Sequence, residues 1–105
     1  MENKKLLLEA IDNYSLFNKN QKKVLQALLN LSIDGEVIAS IKDLLDITKL
    51  TRATISSALS FLEAQEFIEI PSLRGVVFTS CKIKQSKLTE IVTRYQTKIK
   101  LINSN

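Results

Sequence analysis

Residues 40–70 read SIKDLLDITKLTRATISSALSFLEAQEFIEI, and this stretch decides the fold. Ser40 stands before an amphipathic run, where its hydroxyl can accept a backbone N–H. Asp43, three residues on, is placed to favour the N-terminal, positive end of the helix dipole. Ile41, Leu44, Leu45 and Ile47 then recur at helical spacing. Thr48-Lys49-Leu50 breaks the run as a turn. Thr51 caps the next helix, predicted over residues 51–65, whose inward face is Ile55, Ala58, Leu59 and Leu62. Two short amphipathic helices joined by a tight turn form a helix–turn–helix pair.

Outward from this pair, the chain alternates in a simple order. Leu7, Leu8 and Ile11, with Tyr14 or Leu6, predict a helix over residues 3–14. Val24, Leu25, Leu28 and Leu31 predict a second over 20–31, capped by Asn18 or Asn20 and ended near Gly35. Glu36-Val37-Ile38-Ala39 is β-rich and too short for a helix, so it reads as a strand. After the pair, Phe67-Ile68-Glu69-Ile70 and Val76-Val77-Phe78-Thr79-Ser80-Cys81 flank a turn carrying Pro71 and Gly75. That pattern predicts a hairpin. Ser86 is placed to cap a last helix running to about Ile102. The expected fold is mainly α with a small β-hairpin, in the order α-α-β-α-α-β-β-α. A helix–turn–helix on a small sheet with a hairpin beyond it is a winged helix–turn–helix, here as one domain over residues 1–105.

Composition narrows the function classes. The chain has 105 residues, 45% of them hydrophobic, with only two Gly and one Pro. That suits one packed domain of long regular elements. Residues 1–49 hold seven basic and seven acidic side chains, while residues 50–105 hold eight and four. The whole net charge of +4 therefore comes from the second half, which favours an anionic partner. There is no His and one Cys, Cys81, so no intramolecular disulfide can form and no Cys/His zinc set is available. Cys81 lies in a strand-like run and reads as a small buried apolar residue. No paired-carboxylate motif or Gly-rich phosphate loop suggests an enzyme or a cofactor. No membrane partner is expected, because no apolar run reaches the length of a span and Glu9 and Asp12 interrupt the first Leu cluster. A cytoplasmic, nucleoid-associated protein is the expectation.

The helix over 51–65 carries the functional signal. Opposite Ile55 and Leu59 lie Ala53, Ser56, Ser57, Ser60 and Ala64. A helix entering the DNA major groove needs such a face, because small residues let the backbone approach the base edges and hydroxyls can donate or accept there. Thr51, Arg52 and Thr54 stand at its N-terminal tip, where free N–H groups and the dipole favour a phosphate. Arg52 can also pair with a guanine edge. The bland alternative is a capped surface helix with small polar residues.

Residues 50–70, LTRATISSALSFLEAQEFIEI, resemble the recognition helix and first wing strand of MarR-type winged-helix transcription regulators. Thr54-Ile55-Ser56 fills that family's Thr-Val-Ser triplet, Leu59, Leu62 and Glu63 follow in register, and Phe67-Ile68 enters the wing. Leu16-Phe17 through Gln21, Val24-Leu25 and Leu28 are similar to the family's second helix. Plasmid replication initiators and phage regulators share the pattern. Glu66 stands where the family usually has Gly, so the turn into the wing is expected to close differently. The resemblance implies that Thr51, Arg52, Thr54, Ser56, Ser57 and Ser60 face double-stranded DNA. Arg74 would reach the minor groove or a phosphate, and Lys42 and Lys49 would bind phosphates.

The end helices carry apolar seams: Leu7, Leu8 and Ile11 in the first, and Leu88, Ile91, Val92, Tyr95, Ile99 and Ile102 in the last. With little core left to cover them, they are expected to form a homodimer, which would select a palindromic site. Packing onto their own domain is the alternative. The functions to weigh are a transcriptional regulator, an origin-binding protein in plasmid or phage replication, and a winged helix used to bind another protein. The sequence identifies no small-molecule effector.

Overall fold

A computed structural model describes residues 4–70 and 80–103. The elements are α1 (Lys4–Asp12), α2 (Lys19–Leu31), β1 (Glu36–Ile38), α3 (Ile41–Thr48), α4 (Arg52–Ala64), β2 (Ile68–Glu69), β3 (Ser80–Ile83) and α5 (Gln85–Asn103). The chain is mainly helical, with one three-stranded antiparallel sheet in the order β1-β3-β2. Arg74 and the predicted hairpin turn, with Val76 to Thr79, lie outside the described residues.

Local chemistry sets the helix starts. Asn18 Oδ1 accepts from the Gln21 amide at 2.8 Å, and the Asn18 amide donates back to Gln21 Oε1 at 3.0 Å. Ser40 and Asp43 make the same reciprocal pair at 3.1 and 2.9 Å. Each satisfies two helix N–H groups that would otherwise lack partners, worth about 1 kcal/mol per cap. Thr51 Oγ1 accepts from the Thr54 amide at 3.2 Å and starts α4. The fourth helix is thus shorter than expected by its two capping residues, Thr51 and Gln65.

Gly35 does not end α2. Ser32 closes that helix in extended backbone, its hydroxyl donating to Leu29 O at 2.7 Å. Asp34 and Gly35 instead form the two-residue turn of a tight hairpin, both with positive φ, 54° and 80°. Ile33 and Glu36 exchange both backbone hydrogen bonds across it. An Asp-Gly pair with positive φ at both positions matches the right-handed twist of a hairpin. The turn delivers β1 to β3, pairing Val37 with Cys81. β2 pairs with the far edge of β3, Ile68 opposite Ile83. Among the described residues the last strand covers 80–83, two residues beyond the expected end at Cys81. Ser86 is not a cap: α5 already runs from Gln85, and Lys84 O accepts the first helical amides.

One core joins every layer. Val24, Leu25 and Leu28 of α2, Leu44 of α3, Ile55 and Leu62 of α4, Val37 and Cys81 of the sheet, and Leu88 and Ile91 of α5 are all essentially inaccessible. Phe17 lies at its edge, with ring centroids 4.7 Å from Tyr14 and 5.0 Å from Phe67, both edge to face. Such pairs add about 0.5–1.5 kcal/mol each beyond area burial. They fix the α1–α2 join against the end of α4.

The end helices need a correction. α1 and α5 pack on each other within one chain, and Leu7, Ile11, Leu88, Ile91 and Val92 belong to its core. Those five side chains are not available to a partner. Leu8 and Tyr95 are half-buried, and the Tyr95 hydroxyl donates to Glu9 Oε2 at 3.4 Å. Of the nine residues proposed for a dimer seam, only Ile99 and Ile102 are exposed.

Candidate nucleic-acid interface

The relation between α3 and α4 depends on two residues in the turn. Thr48 is buried, and its hydroxyl donates to Leu44 O at 2.6 Å while accepting from the Leu50 amide at 3.2 Å. Lys49 adopts the left-handed conformation, φ 61° and ψ 22°, and its amide donates to Leu45 O. The reversal lets Leu50 tuck against the core and Thr51 cap the next helix. Lys49 itself points to solvent.

α4 buries Ile55, Ala58, Leu59 and Leu62, the four residues its periodicity assigns inward. Its opposite face is open: Ala53, Ser56, Ser57, Ser60 and Ala64 are all exposed. Thirteen residues make this face about 20 Å long, and its first acid is Glu63, near the C-terminal end. Nothing on the first three turns opposes a polyanion.

The tip residues have different duties. Thr51 is exposed, but its hydroxyl is committed: it accepts from the Thr54 amide and donates to Thr54 Oγ1 at 2.8 Å. Thr54 is half-buried, and its own hydroxyl proton remains free to donate outward. Arg52 is exposed. Among the described residues, Arg52, Lys42 and Lys49 join none of the ion pairs; those are Lys84–Glu69 at 3.4 Å and Lys87–Glu90 at 3.7 Å. Lys42, on the first turn of α3, is likewise exposed. The structure therefore brings Arg52, Thr54, Ser56, Ser57 and Ser60 onto one helix and sets Lys49 just before it. Arg74 lies outside the described residues.

A further set of side chains borders this face. Asn18, Asn20 and Gln21, at the start of α2, line a shallow groove of about 410 Å³ with Ala53, Thr54 and Ser57 of α4. Lys19 and Lys23 are exposed on the same helix. In the sequence, Asn18 and Asn20 serve only as caps. Their place beside α4 follows from α2 packing against α4, a contact that no local pattern encodes.

Comparisons with protein-family models, with curated proteins and with solved structures found no significant match.

Two titratable groups away from the α4 face are shifted by their surroundings. Burial pushes the Cys81 thiol up to about 11, so it holds its proton and is a poor nucleophile at neutral pH. Tyr95 is shifted upward by desolvation, then by the neighbouring Glu9 charge and the hydrogen bond to it. Among the described residues, no three His, Cys, Asp or Glu side chains gather closely enough to hold a metal ion. No helix of the described residues is long and apolar enough to cross a membrane.

Proposed function

We propose that this chain binds double-stranded DNA as a winged helix–turn–helix protein and acts as a transcriptional regulator, with α4 lying in the major groove. The observation that carries the reading is the open face of α4. It presents small and hydroxyl side chains for three turns, has Arg52 at its tip, and meets no acid until Glu63. The major groove is wide enough to admit a helix, and such a face lets the helix backbone come close to the base edges. Exposed, unpaired cations at Arg52, Lys49 and Lys42 supply the electrostatic attraction on which non-specific affinity depends. On this reading the segment that joins β2 to β3, which contains Arg74, acts as the wing.

Arg52 is the one basic residue within α4, so direct readout by this helix is modest. Affinity then depends on phosphate contacts and on a second copy of the chain bound nearby. The same machinery would serve at a replication origin.

Selection of bound fragments from a random duplex pool tests this reading. A recovered consensus of a few base pairs, lost when Ser57→Glu places a carboxylate on the open face, supports it. Recovery of no enriched sequence and no retained duplex would refute it. Ser57 is exposed, so the variant keeps its fold, which circular dichroism checks.

A further inference from the structure

The groove between the start of α2 and α4 opens onto the exposed face of α4. Ala53 and Ser57 belong to both: they are exposed on that face, and they line the groove with Thr54, Asn18, Asn20 and Gln21. At about 100° per residue, the positions of α4 that line the groove fall on one flank of the helix and Arg52 on the other. An α-helix with its side chains is about 10–12 Å across, and the major groove is about 12 Å wide. A helix seated there has a phosphate strand along each flank. An element packed against one flank brings its own side chains to that strand, and for α4 the start of α2 is such an element.

Three side chains at that start suit a phosphate. Lys19, Asn20 and Lys23 are exposed and take part in none of the ion pairs or side-chain hydrogen bonds among the described residues. Lys23 is the surface neighbour of both others, four residues from Lys19 and three from Asn20. The side chains between them are committed: Asn18 and Gln21 hold each other in the capping box, and Lys22 Nζ donates to Asp12 O at 2.7 Å. α2 itself has no acid. Of the elements packed on it, α1 carries Glu9 and Asp12, β1 Glu36, α3 Asp43 and Asp46, and α4 Glu63; none of these carboxylates lines the groove.

We propose that Lys19, Asn20 and Lys23 grip the phosphate backbone of a DNA strand that runs along the groove between α2 and α4. The two lysines supply charge and the Asn20 carboxamide a hydrogen-bond donor. The contact rests on the DNA-binding reading of α4 and adds a second element to it, outside the helix–turn–helix. It carries no sequence information of its own; it fixes the register and direction in which α4 lies along the duplex.

Duplex binding by the full chain across a salt series, read by fluorescence anisotropy, tests the proposal. Lys19→Ala and Lys23→Ala should each lower the slope of log affinity against log salt by about one, on a selected site and on random duplex alike. Asn20→Ala should weaken binding to both duplexes equally, by about three- to tenfold, with the slope unchanged. Lys100→Ala, near the end of α5, should change neither. Asn18 is kept because its side chain caps α2. The four substituted side chains are exposed, and circular dichroism verifies each fold. If the wild type binds and Ser57→Glu does not, yet the three α2 variants match the wild type, the proposal falls and the DNA-binding reading stands. A wild type that binds no duplex removes both. An Asn20→Ala loss confined to the selected site would make Asn20 a base reader and overturn its phosphate role. A Lys100→Ala change equal to that of Lys23→Ala would show that total charge alone sets the slope, which also overturns the proposal.

Discussion

The Phe67 amide donates to the Leu62 carbonyl at 2.9 Å, across a turn in which Glu66 holds φ at +65°. The Glu66 amide donates to Glu63 O at 3.0 Å, so the two bonds together form the closing motif that commonly ends helices with glycine. Glu66 does not make the turn close differently, as its side chain suggests from sequence. The usual geometry is kept, and the strain falls on Glu66.

That strain is measurable. A non-glycine residue in the left-handed region costs about 1 kcal/mol. Glu66→Gly should relieve more than it loses in unfolded-chain entropy and stabilise the protein by about 0.5–1 kcal/mol. The denaturation midpoint should rise with an unchanged slope. Glu66→Val, β-branched at the same position, should lower it.

Thr48 predicts a loss in the other direction. Its hydroxyl bridges Leu44 O and the Leu50 amide inside the protein. Thr48→Val keeps the shape but leaves the Leu50 amide without that partner, at a cost of about 1–3 kcal/mol in urea unfolding. Because the bridge shapes the turn between α3 and α4, DNA affinity should fall further than stability alone explains. Equal affinity per folded molecule would mean that the turn does not set the angle of α4.

Much of this arrangement was legible in the sequence, for a reason that also marks the limit. Caps and stripes are local: Asn18, Ser40, Asp43 and Thr51 act where their types and spacing place them, and Ile55, Ala58, Leu59 and Leu62 turn inward. What a stripe packs against is not local. The seam of α5 has the same spacing whether α1 or another chain covers it, and the structure puts α1 there. Gly35 misled because glycine serves both helix ends and hairpin turns, and only the exchange of bonds between Ile33 and Glu36 separates the two. The groove beside Asn18 and Asn20 was hidden because it depends on how α2 crosses α4.

The Cys81 thiol gives a pH prediction. Its ordinary value is 9.0, and burial raises it to about 11 in the folded chain. Between those values the unfolded chain has lost the proton and the folded chain keeps it. Stability therefore falls as pH rises from about 9 to 11. Cys81→Ala should flatten this limb of the stability curve, whatever packing it loses at neutral pH. A thiol reagent should modify the native protein slowly and the urea-unfolded protein at once.

Arg52 and the two lysines separate readout from attraction. Arg52→Ala should cost about 1–3 kcal/mol on a selected site and less on random duplex. Lys42→Ala and Lys49→Ala should weaken both equally, each reducing the salt slope by about one. Equal losses for Arg52 on both duplexes would place it on phosphate alone.

The most direct test of the account is the salt dependence of duplex binding, followed by fluorescence anisotropy with the wild type and Ser57→Glu. The open face of α4 predicts binding whose logarithm falls linearly with the logarithm of salt concentration, and no measurable binding by the variant. Binding that ignores salt, or a Ser57→Glu protein that binds as well as the wild type, would contradict it.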